Sequence, residues 1–299
     1  MVKIKVPATT ANLGPGFDTL GLALNLYQEI LIEKADLGLK HVVWQGEVEI
    51  ENSENFVLQA LEYTLASHDL QTLGYTVTML SSQIPVSRGL GSSAAAIVAG
   101  IYAANYLMDY ALSQQQMLDI ATELEGHPDN VAPAILGNLV IALTESHKTH
   151  FAQIDFPDDL VLKVMIPNFK LSTTKAREIL PEHYSRPQCI HNISRVSFLI
   201  HALLTKDYSN LSLALSDEIH EPYRKLIIDD CAHIFSQINT TEAYGCFISG
   251  AGPSLIALTK QTDQSFDSKL KLNSEQFKHF WECHTIGINK SGAIYEIIK

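Results

Sequence analysis

The sequence is poor in several features that would each indicate a class of protein. Its 299 residues include only four cysteines, which are widely spaced: Cys189, Cys231, Cys246 and Cys283. Because no C-x-x-C pair occurs, we expect reduced thiols in a cytosolic protein rather than a zinc site or a disulfide framework. Basic residues are also few, since 21 Lys and Arg stand against 33 Asp and Glu, a net charge of −12. This balance argues against a nucleic-acid-binding protein, which usually presents a basic surface.

Long apolar runs are missing as well. No segment approaches the roughly 18 consecutive apolar residues of a membrane-spanning helix, so we expect no membrane association. The first residues, MVKIKVPATTANLGPG, lack the apolar segment of a secretory signal, and we expect a cytoplasmic protein. Hydrophobic residues make up 46% and charged residues 18%, which is a globular composition. At about 150 residues per domain, the length predicts two domains.

Hydrophobic periodicity predicts helices and strands in an irregular order. In the first half we predict strands at 3–6, 24–33, 41–51, 75–80 and 138–144 and helices at 56–66, 92–108 and 113–125. In the second half we predict strands at 160–167, 243–249, 254–259, 284–288 and 293–298 and helices at 192–205, 209–219, 227–239 and 274–282. This mixture favours an α+β fold over a doubly wound parallel sheet. The turn signal Pro157-Asp-Asp159 predicts a boundary between domains at 1–155 and 156–299.

A glycine-containing loop leads directly into a helix at residues 85–95, PVSRGLGSSAA. Gly89 and Gly91 allow the backbone to bend and to approach a ligand closely. Ser92 and Ser93 begin the helix, where unpaired N–H groups and the positive end of the helix dipole attract anions. The loop therefore predicts a phosphate site, although a tight loop with a serine N-cap would explain the same residues.

Two well-known nucleotide motifs do not fit this loop. The Walker A motif requires G-K-[ST], and no lysine occurs in the segment. The stretch from Gly89 to Ala94 matches the G-x-G-x-x-A pattern of dinucleotide-binding proteins, but Pro85 and further loop residues separate it from its strand. The acidic residue expected about 20 positions later, Asp109, falls between two helices instead of ending a strand. A dehydrogenase is therefore disfavoured.

An acidic segment, ELEGHPDN, follows the helix at 113–125, and Pro128 prevents that helix from continuing. Its carboxylates, imidazole and amide stand on a predicted turn, and oxygen ligands of this kind suit Mg²⁺. Solvated acids at a helix end are the alternative, which a nearby phosphate loop makes less favourable.

Two arginines near predicted turns, Arg177 and Arg224, are candidates for binding a carboxylate. A guanidinium can bind both carboxylate oxygens at once, which lysine cannot copy. Surface ion pairs are the commoner role of a single arginine. The segment SGAGPS at 249–254 lies between two predicted strands, and its small residues allow close approach to a ligand or to the other domain, although a hairpin loop would explain its glycines too.

Together these segments resemble the GHMP small-molecule kinases, and within that family the homoserine kinase branch. The resemblance runs nearly end to end and consists of six ordered motifs, PATTANLGPGFD (7–18), PVSRGLGSSAA (85–95), GHPDNVAP (126–133), AR…LP (176–181), HEPYR (220–224) and SGAGPS (249–254). It implies a two-domain α+β fold with the active site in the cleft between the domains. It also implies ATP-dependent phosphorylation of the homoserine hydroxyl, with ATP and Mg²⁺ as the cofactors.

The resemblance further implies roles for individual residues. ATP would contact Pro85, Val86, Ser87, Arg88, Gly89, Leu90, Gly91, Ser92, Ser93, Ala94 and Ala95. Homoserine would contact Asn12, Asp18, His127, Asn130, Thr173, Arg177, Arg224 and Gly250, and the catalytic residues among them would be Asn12, Asp18, Asn130 and Arg177. Both arginines would take the carboxylate, and Asp18 the ammonium group or the reacting hydroxyl. Mg²⁺ would be held by Ser93 and Glu123, with Ser92 and Glu125 as neighbouring alternatives.

One departure from the wider family concerns proton transfer. Many relatives have an aspartate base where this chain has Asn130, and asparagine cannot accept a proton. Phosphoryl transfer through a loose transition state needs little deprotonation of the nucleophile, so positioning and charge stabilisation can supply most of the rate. We therefore expect a kinase without a dedicated general base. A kinase for mevalonate, shikimate or a sugar, and a non-catalytic binding protein of the same fold, are the alternatives, and a homodimer is a further hypothesis.

Overall fold

The computed structural model describes residues 1–45, 55–263 and 265–298, and in them the strands form two sheets. The larger sheet contains β1 (Val2–Ala11), β2 (Leu20–Ala35), β3 (Lys40–Gln45), β4 (Gly74–Leu80), β5 (Leu139–Glu145), β6 (Lys148–Ile154) and β11 (Ile294–Ile297). Its strand order is β11-β1-β2-β4-β3, while β5 pairs with both β2 and β6. Only the β3–β4 pairing is parallel among these described strands.

The smaller sheet contains β7 (Leu160–Pro167), β8 (Gly245–Ile248), β9 (Leu255–Lys260) and β10 (Trp281–Ile286), in the antiparallel order β10-β7-β9-β8. The helices are α1 (Phe56–Ala66), α2 (Ser92–Leu107), α3 (Gln114–Glu125), α4 (Pro128–Leu136), α5 (Thr173–Glu178), α6 (Arg186–Thr205), α7 (Leu211–Ala214), α8 (Glu221–Arg224), α9 (Cys231–Ile238) and α10 (Phe266–Lys269). None of the helices in the described ranges is long and apolar enough to cross a membrane.

Helix α2 is the central helix of the larger-sheet half, and its small residues allow it to be surrounded by protein. Twelve of its sixteen residues are buried, including Ala94, Ala95 and Gly100. A side chain at Gly100 would place its Cβ 2.2 Å from the Val57 carbonyl oxygen, so α1 can approach α2 closely only because this residue is glycine. The close packing holds the N-terminus of α2 in a constant position, which matters because the phosphate loop ends there.

The sequence predicted several elements correctly. The bounds of α1 and β7 agree with the prediction, and Ser113 forms the predicted capping box with Gln116 at the start of α3. Strand β1, however, continues through Pro7 to Ala11 instead of stopping at the proline. The pairing of β1 with β2 shifts register between Pro7 and Ala8, and a bulge is a position where a strand tolerates proline.

Three other predictions need correction. Pro128 does more than end α3, because it occupies the first turn of a new helix, α4, where proline is favoured. The helix predicted at 274–282 is wrong: the chain forms turns and bends before Trp281, which is 1% exposed and begins β10. The helix predicted at 209–219 is reduced to the four residues of α7. Part of the strand predicted at 41–51 lies outside the described residues.

The chain returns to its first sheet at the end. Strand β11 pairs with β1, and the Lys3 ammonium lies 2.8 Å from a Glu296 carboxylate oxygen. The strands up to Ile154 belong to the larger sheet and those from Leu160 to Ile286 to the smaller one. The division into domains 1–155 and 156–299 stays a prediction. This division did not anticipate that β11 belongs to the larger sheet.

Candidate active site

The phosphate loop takes the backbone conformation that its glycines allow. Gly89 and Gly91 have φ values of +72° and +68°, in the left-handed region that side chains disfavour. A Cβ on Gly91 would lie 2.0 Å from Thr9 Oγ1, and one on Gly89 would lie 2.2 Å from the Ser249 carbonyl oxygen. Gly91 is the N-cap of α2 and supplies no side-chain hydrogen bond. The first amides of this sixteen-residue helix are therefore uncapped by a side chain and suited to an anion.

The same loop is fastened to the smaller-sheet half of the molecule. Arg88 Nε donates to the Pro167 carbonyl at 2.8 Å, the Ser254 amide donates to the Arg88 carbonyl at 3.2 Å, and the Leu171 amide donates to the Ser87 carbonyl at 3.2 Å. Burial lowers the pKa of Arg88. Its guanidinium thus serves to join the two halves. The residues predicted to contact ATP, 85–95, therefore form one continuous segment that lies between the two sheets.

The predicted metal residues Ser93 and Glu123 are not brought together. Ser93 Oγ donates to Glu125 Oε1 at 2.7 Å, whereas Glu123 Oε1 accepts a hydrogen bond from the Tyr63 hydroxyl at 2.8 Å. Positions two apart on a helix point about 200° apart, so only one of the two glutamates can face α2. The neighbouring alternative, Glu125, is the partner of Ser93.

The Ser93–Glu125 pair fits a magnesium ion. Burial raises the pKa of Glu125, while the Ser93 hydrogen bond and the charge of His127 oppose the shift. Glu125 has no lysine or arginine partner within 4 Å in the described part of the chain. A half-buried carboxylate and a hydroxyl at the end of a helix that attracts phosphate are hard oxygen ligands of the kind that Mg²⁺ prefers.

The loop after β1 carries two of the predicted substrate residues. Asn12, which is 2% exposed, accepts the Asp18 amide hydrogen bond through Oδ1 at 3.1 Å and donates through Nδ2 to the Gly250 carbonyl at 2.9 Å. Both Asn12 and Asp18 have positive φ values, 71° and 51°. The asparagine therefore holds the turn that presents Asp18 and ties that turn to the SGAGPS loop.

Asp18 and Arg177 form a bidentate ion pair across the two halves. Arg177 Nη1 and Nη2 each lie 2.9 Å from one Asp18 carboxylate oxygen. The hydrogen bond and charge of Asp18 raise the pKa of Arg177, although burial opposes them. The Arg177 side chain is 43% exposed. Thr173, at the start of the same short helix α5, is exposed.

Arg224 is a buried cation without an acidic partner. It is 2% exposed, and no Asp or Glu of the described ranges lies within 4 Å of its guanidinium. Nη1 donates to the Gly250 carbonyl at 2.9 Å, and Nε donates to the Ala176 carbonyl at 3.3 Å. Burial, with the charge of Arg177, lowers the pKa of Arg224 to about 10. Such a group favours an anionic ligand, because a buried charge is costly when unpaired.

A third group of predicted residues stands at the start of α4. His127 Nδ1 lies 2.6 Å from Asp129 Oδ1, and Asn130 Nδ2 donates to the same oxygen at 3.3 Å. Thr9 Oγ1 donates to Asn130 Oδ1 at 2.8 Å, so both ends of the amide are engaged. Burial lowers the pKa of His127, but the hydrogen bond and charge of Asp129, with smaller contributions from Glu125 and Asp18, raise it overall.

These groups belong to one site between the sheets. Asn12, Asp18, Arg177, Arg224 and Gly250 form a connected hydrogen-bonded network. The start of α4 lies next to the phosphate loop, since a Cβ on Gly91 would lie 3.2 Å from Asn130 Oδ1.

Sequence reasoning missed three residues of this site: Phe17, Asp129 and His220. The Phe17 ring centroid lies 5.7 Å from the Arg177 guanidinium carbon and 5.4 Å from that of Arg224, within cation–π range. Each missed residue occurs inside one of the six motifs, which was the only available signal.

Comparison with known proteins places this geometry in a family. Residues 55–138 match the family model of the GHMP kinases N terminal domain, and residues 199–278 match that of the GHMP kinases C terminal domain. The homoserine kinase of Clostridium novyi is 38% identical over 300 residues, covering 100% of this chain and 99% of the relative. That of Clostridium acetobutylicum is 38% identical and covers 98% and 99% of the two chains.

The fold agrees with a solved structure of the same kind. The crystal structure of homoserine kinase from Cytophaga hutchinsonii superposes with a TM-score of 0.88 at 28% identity, covering 99% of this chain and 97% of that one. The predicted two-domain α+β fold is thereby confirmed. Matches to both family models and full-length relatives above 30% identity show that the chain belongs to the GHMP kinase family.

Proposed function

We propose that this GHMP kinase transfers the γ-phosphate of ATP to the side-chain hydroxyl of L-homoserine, as a step of threonine biosynthesis. The observation that supports this most directly is the pairing of the Asp18 carboxylate with Arg177 beside the buried Arg224. Groups of both signs therefore stand side by side in one hydrogen-bonded network. The homoserine kinases of the two Clostridium species, which cover 100% and 98% of the chain, support the same substrate.

A zwitterionic amino acid suits this charge arrangement. Its carboxylate would bind Arg224 and Arg177, and its ammonium group would bind Asp18, so the 2.9 Å Arg177–Asp18 contact would be exchanged for two contacts with the substrate. Mevalonate or shikimate carries a carboxylate but no ammonium group. Either would compete with Asp18 for Arg177 and repel the displaced carboxylate, and a neutral sugar would leave Arg224 without an anion.

The ATP phosphates would lie at the uncapped N-terminus of α2, along residues 85–95. Ser93 and Glu125 would hold Mg²⁺. The described ranges contain no cluster of three or more His, Cys, Asp or Glu that could hold a metal, so phosphate oxygens would complete the coordination of the ion. When bound, Mg²⁺ supplies positive charge for the phosphate oxygens.

Phosphoryl transfer would form a bond between the homoserine oxygen and the γ-phosphorus, break the bond to the β-phosphate oxygen, and pass the hydroxyl proton to solvent water. Asn130 accepts a hydrogen bond from Thr9 and donates one to Asp129, so its amide is held in one orientation. Asn130 would position the substrate. Asp18 would be paired with the substrate ammonium group, and the reaction would proceed without a dedicated base. Catalysis would then depend on orientation and charge.

Three other predictions belong to this proposal. We propose domains at 1–155 and 156–299, a cytoplasmic location and a homodimer. Limited proteolysis, cell fractionation and light scattering of the purified protein, respectively, would check them.

The experiment is an ADP-release assay of purified protein with Mg·ATP and each of L-homoserine, L-serine, mevalonate, shikimate and galactose. We expect by far the highest kcat/KM with L-homoserine and a phosphate monoester product in the ³¹P NMR spectrum. Asp18→Asn, purified identically, should lose this activity, whereas Asp158→Asn, which changes only an exposed ion pair with Lys290, should keep it. Equal rates across the panel, or a preference for mevalonate, shikimate or the sugar, would refute the homoserine assignment.

A further inference from the structure

His220 is a fully buried residue that joins two parts of the site. Its side chain has no exposed surface. Nε2 lies 2.9 Å from the Gly14 carbonyl oxygen, in the loop that carries Asn12 and Asp18. Nδ1 lies 3.1 Å from Arg224 Nη1. One imidazole therefore connects the loop proposed to bind the ammonium group with the arginine proposed to bind the carboxylate.

These two contacts determine the protonation of the ring. A carbonyl oxygen can only accept a hydrogen bond, and a guanidinium can only donate, so Nε2 must carry the proton and Nδ1 the lone pair. The ring is then neutral. Burial lowers the pKa of His220, and the charge of Arg224 acts in the same direction, against the charges of Asp217 and Glu221.

The surroundings prevent the ring from turning. It stacks on Phe17 with ring centroids 5.3 Å apart and an interplanar angle of 26°. The His220 amide donates to Asp217 Oδ2 at 2.8 Å, and Asp217 Oδ1 in turn accepts from Asn192 Nδ2 at 2.6 Å. The imidazole is thus held through both its side chain and its backbone.

We propose that His220 is a positioning residue. It holds the Arg224 guanidinium and the loop at 12–18 at a constant separation. This separation sets the distance between the group that binds the carboxylate and the group that binds the ammonium. Nε and Nη1 of Arg224 are engaged by Ala176, Gly250 and His220. Nη2 makes no hydrogen bond to any described residue and would be the nitrogen that binds a carboxylate. This inference rests on the proposed function.

Two substitutions separate the two contacts. In His220→Gln the amide nitrogen can replace Nε2 and still donate to Gly14, but the acceptor for Arg224 is lost. In His220→Asn the amide oxygen can replace Nδ1 and accept from Arg224, but the donor to Gly14 is lost. The probes are L-homoserine as the substrate and 3-amino-1-propanol, which is homoserine without its carboxylate, as a competitive inhibitor.

We expect His220→Gln to raise the KM for homoserine about tenfold, with kcat within about twofold of the wild type, because one hydrogen bond to a charged group is lost. The inhibition constant of 3-amino-1-propanol should stay within about twofold, since this compound has no carboxylate for Arg224. His220→Asn should weaken homoserine and the aminoalcohol alike, because both use the loop that presents Asp18. The KM for ATP should not change in either variant.

The control is His201→Gln on the exposed face of α6, which should behave as the wild type in every assay. Thermal unfolding of all variants checks that they are folded. If homoserine and 3-amino-1-propanol were weakened equally in both variants, His220 would only fill space and the proposal would be overturned. An unchanged KM for homoserine in His220→Gln would overturn it too. If the wild type does not phosphorylate homoserine, the proposed function itself is wrong, and this inference is wrong with it.

Discussion

The two arginines proposed to bind the carboxylate should contribute very unequally to homoserine binding. Arg224 is 2% exposed and has no acidic partner within 4 Å among the described residues. Arg177 has a side chain that is 43% exposed, and its charge is already paired with Asp18 through two hydrogen bonds of 2.9 Å. Substrate binding therefore adds a counter-ion to Arg224, whereas for Arg177 it exchanges one carboxylate for another.

The expected magnitudes follow from this difference in burial. Removing one partner of a buried charge pair costs about 3–5 kcal/mol, so Arg224→Ala should raise the KM for homoserine at least about 100-fold. An exposed pair contributes about 1 kcal/mol or less, so Arg177→Ala should raise the same KM about fivefold. The KM for ATP should change little in both variants, because neither arginine contacts the phosphate loop.

The assay is ADP release coupled to NADH oxidation, with ATP saturating and homoserine varied, followed by the reverse titration. Arg186→Ala, an exposed arginine at the start of α6, is the matched control and should behave as the wild type. An effect of Arg177→Ala as large as that of Arg224→Ala would refute the reasoning from burial. A change below tenfold in Arg224→Ala would place the carboxylate elsewhere.

Three further predictions concern the metal, the proton and the effect of pH. Glu125→Gln should lower the rate at saturating homoserine about 100-fold and raise the Mg²⁺ requirement, while Glu123→Gln stays within twofold, as a titration of free Mg²⁺ would show. Asn130→Asp should not increase kcat, and an increase would show that a base assists the reaction. The pKa of His220 is lowered in the folded state, so below about pH 6.5 the unfolded chain binds more protons than the folded protein does. Lowering the pH therefore reduces the free energy of unfolding. The urea midpoint should therefore fall more between pH 7.5 and pH 5 in the wild type than in His220→Gln, and equal decreases would contradict this.

Local features were predictable from the sequence because a few neighbouring residues decide them. The capping box of Ser113 and Gln116 defines the start of α3, and glycines with positive φ values shape the phosphate loop. Tertiary context overrode the local signal elsewhere. Pro7 lies inside a strand because a bulge in the β1–β2 pairing accommodates it. Trp281 begins β10 in a segment where hydrophobic periodicity predicted a helix.

By itself, the sequence determined the family, the glycine loop before α2 and a set of site residues, because ordered motifs and backbone conformations are local properties. Only the tertiary structure decided that Glu125 rather than Glu123 is the partner of Ser93, since two positions on one helix face opposite sides. The pairing of Arg177 with Asp18 likewise joins residues 159 positions apart. The neutral state of His220 depends on contacts with Gly14 and Arg224 from two separate segments, which no local pattern encodes.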